Sequence, residues 1–239
     1  MPEPSPPLSP LSPPSPSGQA PRPRMVVLVL AAGSSTRFGS DKRQARLPDG
    51  RSLLEAVVAT HCEVLDEVWV LTRPGDTFAA AVCATLGARC VVCEGAAQGQ
   101  GRTLAEGLRQ LQDEAGVAAA LVSLADMPWV RADTLRRLCA GFAASGGLVL
   151  PRHGEPHREP HGAQLGHPRV LPRAVWPRLL GQDGTPGLQG DRGAQALLDW
   201  SSALQVDVDD PGVLRDADTP QQLQAHLQPP LQPNPPAPG

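Results

Sequence analysis

The sequence predicts an α/β protein built on a mainly parallel, doubly wound sheet flanked by helices. Three observations carry this reading. Apolar runs at 25–31, 67–72, 89–93, 118–124 and 147–150 alternate with helical patterns. Those runs are apolar without interruption, as VVLVLA and AAALVSLA illustrate, which is what strands covered on both faces require. The intervening segments carry helix punctuation, beginning with Ser52-x-x-Glu55, a capping box that opens LLEAVVATHCEVL.

Taken in order, the first strand starts at Met25 and breaks at Ala31-Ala32-Gly33. Helices are predicted after Ser52, over Phe78 to Leu86, over Gly101 to Leu111, and over Arg131 to Phe142 behind Pro128. The second half is less regular. Residues 151–170 are rich in proline, glycine and histidine; short helices are expected at 172–180 and 192–199, a strand near 204–208, and a last helix from Pro220. In such a sheet ligands sit at the carboxyl ends of the strands, where the segments after Leu30 and after Leu124 both fall.

Composition narrows the classes. At 239 residues the chain suits one domain with tails. Aromatics make up 3% and tyrosine is missing, so the core must be aliphatic. A net charge of −3 gives no basic surface of the kind that nucleic acid or an anionic membrane requires. Residues 1–24 and 228–239 are dominated by proline, serine and small residues, and are expected to be disordered tails around a domain at 25–227. The first tail lacks the apolar core of a signal peptide, and Met25 is a plausible natural start. No stretch reaches the roughly 18 apolar residues of a membrane span. Five cysteines and no signal peptide predict a reduced, cytoplasmic protein, with Cys90 and Cys93 as buried small hydrophobes rather than a redox pair.

The chemistry concentrates at the first strand's end, LVLAAGSSTRFGSDK. Bare N–H groups beside glycine, followed by Arg37 and Lys42, suit a polyphosphate; the alternative is a βα connection with solvated charges. The spacing fits neither a P-loop, which places Lys-Ser/Thr directly after its second glycine, nor the G-x-G-x-x-G dinucleotide loop. Lys42 is the only lysine of the chain. In LVSLADMPWV a buried strand ends in a lone carboxylate, Asp126. It either holds Mg²⁺ against phosphates or caps the helix after Pro128. A second glycine turn, EGAAQGQGRTLAEGL, opens a helix whose free N–H groups, with Arg102, offer an anion or base-edge contact; the plain alternative is an ordinary glycine connection.

Together these motifs resemble a known family. LAAGSSTRFGSDK, GQGRTLAEG, LADMPWV, GHP at 166–168, GDRGAQALL and DADTPQQL are similar, in this order, to motifs of the MobA-like nucleotidyltransferases, which attach nucleotides to molybdopterin. The resemblance implies a three-layer α/β/α nucleotide-binding sandwich like that of nucleotide-diphospho-sugar transferases. It implies that Ala31, Ala32, Gly33, Ser34, Ser35, Arg37 and Lys42 bind the nucleotide, with Gly99, Gly101, Arg102 and Thr103 in the second turn. Lys42, Arg37 and Asp126 would be catalytic. Asp126 and Asp218, or Asp216, would hold Mg²⁺, and His167 and Asp191 would line the acceptor side. Ala31-Ala32-Gly33 and LAD resemble the cytidylyl branch, GSDK the guanylyl branch; CTP is favoured. The implied reaction is attack of an acceptor phosphate, that of molybdopterin, on the α-phosphorus of an NTP, with pyrophosphate leaving. A molybdoenzyme or its chaperone is a further possible partner. Two other readings stand beside it: transfer to a sugar phosphate or another small phosphorylated acceptor, and a non-catalytic nucleotide-binding cofactor chaperone. The chain departs from the family at Arg43-Gln44-Ala45-Arg46, Gln100, Thr103 and the histidine-rich 153–167. His153, His157 and His161 are four apart, but Pro156 and Pro160 forbid a regular helix, which favours an acceptor-side loop over a metal site.

Overall fold

A computed structural model of the chain describes residues 23–33, 38–154 and 164–227. The expected alternation is present: β1 (Arg24–Leu30), α1 (Leu53–Cys62), β2 (Val68–Thr72), α2 (Thr77–Leu86), β3 (Arg89–Val92), α3 (Gln100–Gln112), β4 (Val117–Leu124), α4 (Ala132–Ser145) and β5 (Val149–His153). Then follow β6 (Gln164–Leu165), β7 (Arg169–Pro172), α5 (Trp176–Leu179), β8 (Leu204–Asp207) and α6 (Pro220–Leu227).

The strands form one sheet in the order β3-β2-β1-β4-β7-β5-β6, with β8 paired to β5. The pairs β1/β2, β1/β4, β2/β3 and β5/β8 are parallel; β7 runs antiparallel between β4 and β5. Alternation along β1 sends Val27 and Val29 to one face and Val26 and Leu28 to the other. The first face packs on α1, α2 and α4 through residues such as Leu54, Val57, Val82, Leu135, Leu138 and Phe142. The second packs on α3 and α5 through Leu104, Leu108, Leu111, Trp176 and Leu179. This is the predicted three-layer sandwich. Burial of these aliphatic side chains, at ~25 cal/mol per Å², is what holds it together.

One expectation needs correction. The helix expected at 192–199 is only a 3₁₀ turn at Ala194–Ala196. The short helix expected at 172–180 is present, as a 3₁₀ turn at Arg173–Val175 running directly into the four-residue α5, with Pro177 in its first turn. β6 and β7 were not read from the sequence: β7 is four residues long and begins with a charge, Arg169, that hides its buried character. The capping box of α1 is present in both directions, Ser52 accepting from Glu55 N and Glu55 accepting from Ser52 N. Cys90 packs against one face of the sheet and Cys93 against the other, and burial pushes the Cys93 thiol up to about 12. That geometry fits two inert thiols rather than a redox pair.

Candidate active site

Leu30 and Leu124, the last residues of β1 and β4, are register partners, so two loops leave the sheet side by side. The join is fixed by Ala125 N donating to Leu30 O at 3.2 Å, which places Asp126 directly beyond the sheet edge. The first loop returns through a 3₁₀ turn at Lys42–Gln44. There the Lys42 ammonium donates to Asp126 Oδ2 at 2.6 Å and to Asp218 Oδ1 at 2.7 Å. Asp218 arrives from the far end of the chain, anchored by Ala217 N donating to Asp126 O at 3.0 Å.

The cluster is half sheltered, with side-chain exposures of 16% for Lys42, 17% for Asp126 and 36% for Asp218. Burial works against the charge on Lys42, but Asp126 and then Asp218 outweigh it and raise its pKa, so the ammonium persists. Asp216 is pushed up by burial and by its neighbours Asp218 and Asp126. Asp126 Oδ1 is buried and, among the described residues, has no hydrogen-bond partner. An orphaned carboxylate oxygen beside a second carboxylate fits a divalent cation. Among the described residues no group of three or more His, Cys, Asp or Glu could hold an ion alone, so the remaining ligands would come from phosphates and water.

The capping alternative for Asp126 is answered by Asp210. Its carboxylate accepts from Arg131 N at 2.9 Å and Thr134 Oγ1 at 2.6 Å, closing the start of α4, while Gly212 N donates to its other oxygen at 2.9 Å. Arg43, read from the sequence only as a departure, is buried and ties the lysine turn in place. Its guanidinium donates to Ala31 O at 2.6 Å and to both oxygens of Asp41, and it pairs with Asp76, which itself caps α2 through Ala79 N. No local pattern links residues 43 and 76, so this anchor is invisible to periodicity. Of the first loop's glycines, Gly39 takes a positive φ of 77°, whereas Gly33 does not and has open space where a Cβ would stand. Ser34, Ser35 and Arg37 lie outside the described residues.

The second glycine turn is occupied by the chain itself. Gly101 N donates to Gly190 O at 2.8 Å, and Gln100 N to Asp191 Oδ1 at 3.3 Å. Gly99 has a φ of 112°, and a Cβ there would strike the Gly190 backbone; one at Gly101 would strike Arg192 O. The helix-start amides expected to be free are therefore engaged, Arg102 pairs with Glu106 at 2.9 Å, and Thr103 donates to Gly99 O at 3.2 Å. The sequence separates GQGRT from GDRGA; the structure packs one on the other.

A cavity of about 410 Å³ lies on the α3 side of the sheet. Leu30, Leu104, Val122, Leu124 and Leu171 supply its apolar lining; His167, the 193–196 segment and Arg169, the register partner of Val122, line it as well. Burial, and then the Arg169 charge, pull the His167 pKa down to about 4, so the imidazole is neutral; its Nδ1 is buried without a partner. Asp191 caps α3 instead of lining this cavity. His153 Nδ1 donates to Val208 O at 3.0 Å, and His157 and His161 fall outside the described residues.

A three-layer sandwich with a lysine held between two carboxylates just beyond the ends of β1 and β4 fits a nucleotide-binding α/β transferase. Comparison with known proteins agrees. The chain belongs to the MobA-like NTP transferase family, whose domain it matches over residues 27–206. A probable molybdenum cofactor guanylyltransferase of Mycobacterium tuberculosis H37Rv is 28% identical over 204 residues, covering 84% of this chain and 92% of the relative. The crystal structure of Rv0371c from the same organism superposes with a TM-score of 0.65 at 25% identity, over 85% of this chain and 98% of that one. A 4-diphosphocytidyl-2C-methyl-D-erythritol synthase of Anaerococcus prevotii shares the fold at 13% identity, with a TM-score of 0.65 over 85% of this chain and 94% of that one. The chain is thus a nucleotidyltransferase of the MobA-like type. Among the described residues no helix is long and apolar enough to cross a membrane.

Proposed function

We propose that this chain moves an NMP from an NTP to the phosphate of molybdopterin and releases pyrophosphate. The observation that supports it best is the Lys42 ammonium set between Asp126 and Asp218 at the end of the paired strands. The acceptor phosphate is already anionic at neutral pH, so the site needs alignment and charge neutralisation rather than a strong base. Lys42 offsets charge on the departing phosphates, and Arg37 in the same loop assists it. Asp126 and Asp218 hold a divalent cation, Mg²⁺ by preference, which when bound polarises the phosphate under attack. Arg43 keeps the turn carrying Lys42 against Ala31. The phosphates are assigned to Ala31, Ala32, Gly33, Ser34 and Ser35, and the base to the turn at Gly99, Gly101, Arg102 and Thr103. His167 lies toward the acceptor, with Asp191 holding the wall behind it.

CTP is the nucleotide favoured by Ala31-Ala32-Gly33. GTP is the second reading, favoured by the name of the mycobacterial relatives. Pyrophosphate release, measured with purified molybdopterin, each NTP and Mg²⁺ or Mn²⁺, separates the two. Manganese is included because one solved neighbour, Rv0371c of Mycobacterium tuberculosis, is described as a manganese complex. Asp126→Asn should lower turnover by about 10²-fold, the size expected for one lost electrostatic contact. Release with neither nucleotide would turn the reading toward a chaperone, and release only with sugar phosphates would overturn the acceptor.

A further inference from the structure

Among the described residues Arg169 is a cation without a counter-ion. It is 8% exposed and sits at the start of β7, opposite Val122 of β4. Its Nε donates to Gly166 O at 3.2 Å, and its guanidinium lies 4.9 Å from the centre of the Trp200 ring. Among the described residues it makes no ion pair, and its two terminal nitrogens make no hydrogen bond. Arginine does not escape by losing its proton, and a buried charge is retained at a cost unless something pairs with it.

The guanidinium belongs to the cavity described above. The other described lining residues are aliphatic, or are amides, a glycine and the neutral His167, so among the described residues Arg169 supplies the cavity's one formal charge. A planar fork whose terminal N–H groups make no hydrogen bond among the described residues, in a cavity otherwise lined by apolar and neutral groups, matches an oxyanion, phosphate or carboxylate, carried on a flat or apolar body. None of Lys42, Asp126 and Asp218 lines the cavity, so it is separate from the cluster proposed for the triphosphate. Its floor nevertheless runs to Leu30 and Leu124, which directly precede the two site loops.

We propose that Arg169 is the oxyanion-recognising residue of this cavity, and that the oxyanion belongs to the second substrate rather than to the NTP. The assignment to a second substrate rests on the nucleotidyl-transfer reading; the anion site itself does not.

The test is calorimetric titration of the full chain with inorganic phosphate in the absence of metal. Wild type should bind phosphate at millimolar concentration. Lys42→Met should keep that binding, and Arg169→Met should weaken it at least tenfold. Wild type saturated with Mg²⁺ and either CTP or GTP should still bind phosphate. Since Met fills the same space without a charge to desolvate, Arg169→Met should melt no lower than wild type without ligand. Should Arg169→Met fail to fold, Arg169→Lys, which keeps the charge and loses the fork, should weaken phosphate severalfold. Binding absent from wild type, lost in Lys42→Met, unchanged in the Arg169 variants, or displaced by the NTP overturns the proposal. Absence of pyrophosphate release in wild type, with phosphate binding as expected, would instead defeat the transfer reading and leave the anion site standing.

Discussion

Replacing Lys42 by methionine removes one positive charge from between two carboxylates and keeps the length of the side chain. At about 2.7 Å and an effective dielectric of ~20, each ammonium–carboxylate attraction is about 6 kcal/mol before desolvation is charged against it. Net values are far smaller: about 0–1 kcal/mol for exposed pairs and about 3–5 kcal/mol when a buried pair is broken. Side-chain exposures of 16%, 17% and 36% place this cluster between those limits. A loss of about 2 kcal/mol follows, or about 4–8 °C in Tm for a chain of this size. The same geometry adds a sharper expectation. If Asp126 and Asp218 hold a divalent cation as proposed, that cation competes with the ammonium in the wild type and not in the variant. Mg²⁺ or Mn²⁺ should therefore raise the Tm of Lys42→Met more than that of wild type, recovering about 2.7 kcal/mol at a hundred times its Kd. Turnover should fall more than tenfold even where the metal restores stability, because on the proposed mechanism the leaving phosphates would lose their cation. Differential scanning fluorimetry with and without metal, followed by pyrophosphate release, reads both effects. A metal response no larger in the variant than in wild type would refute the shared-site reasoning.

Three other perturbations are informative. Lys42→Arg keeps the charge but presents a wide fork where two oxygens converge on one nitrogen, so kcat/KM for the NTP should drop at least tenfold, about 1.4 kcal/mol; parity with wild type would make the lysine a surface residue. Asp210→Ala removes acceptors from Arg131 N, Thr134 and Gly212 N and should cost about 3 kcal/mol in urea unfolding, with a loss under ~1 kcal/mol counting against it. His61 and His167 are buried with pKa values pulled down to about 4, chiefly by burial. Each binds its proton less readily folded than unfolded, so its stabilisation is complete above pH ~6.5 and fades as pH falls toward 4, by about 3 kcal/mol per group. Urea midpoints between pH 7 and pH 4 should show that slope, and His61→Gln should flatten it.

The parts of this protein written locally were legible. Continuous apolar runs gave β1 to β5, the Ser52–Glu55 box gave the start of α1, and a lone carboxylate after a buried strand marked Asp126. What escaped notice depends on long-range packing. Nothing near Arg169 announces a strand, because β7 is defined by its neighbours β4 and β5. Nothing near Arg43 announces its partner Asp76, and Asp210 caps a helix that begins some eighty residues earlier in the chain. The glycines of the second turn were read as room for a ligand; at Gly99 and Gly101 they leave room for the backbone of residues 190–192.

The bond from Ala217 N to Asp126 O joins the last part of the domain to its middle. Lys42, the earliest member of the cluster, is separated by 84 and 176 residues from its two acidic partners. A ribosome therefore releases the lysine and the first carboxylate long before the second. The sheet strands β1 to β4 are complete by Leu124, yet the charged centre cannot close until residues 216–218 emerge. Contacts of such separation form late, because loop closure must be met before they contribute. A chain lacking residues 216–218 would carry Lys42 and Asp126 without the second carboxylate, so completion of the charged centre is tied to the docking of that late segment on Asp126.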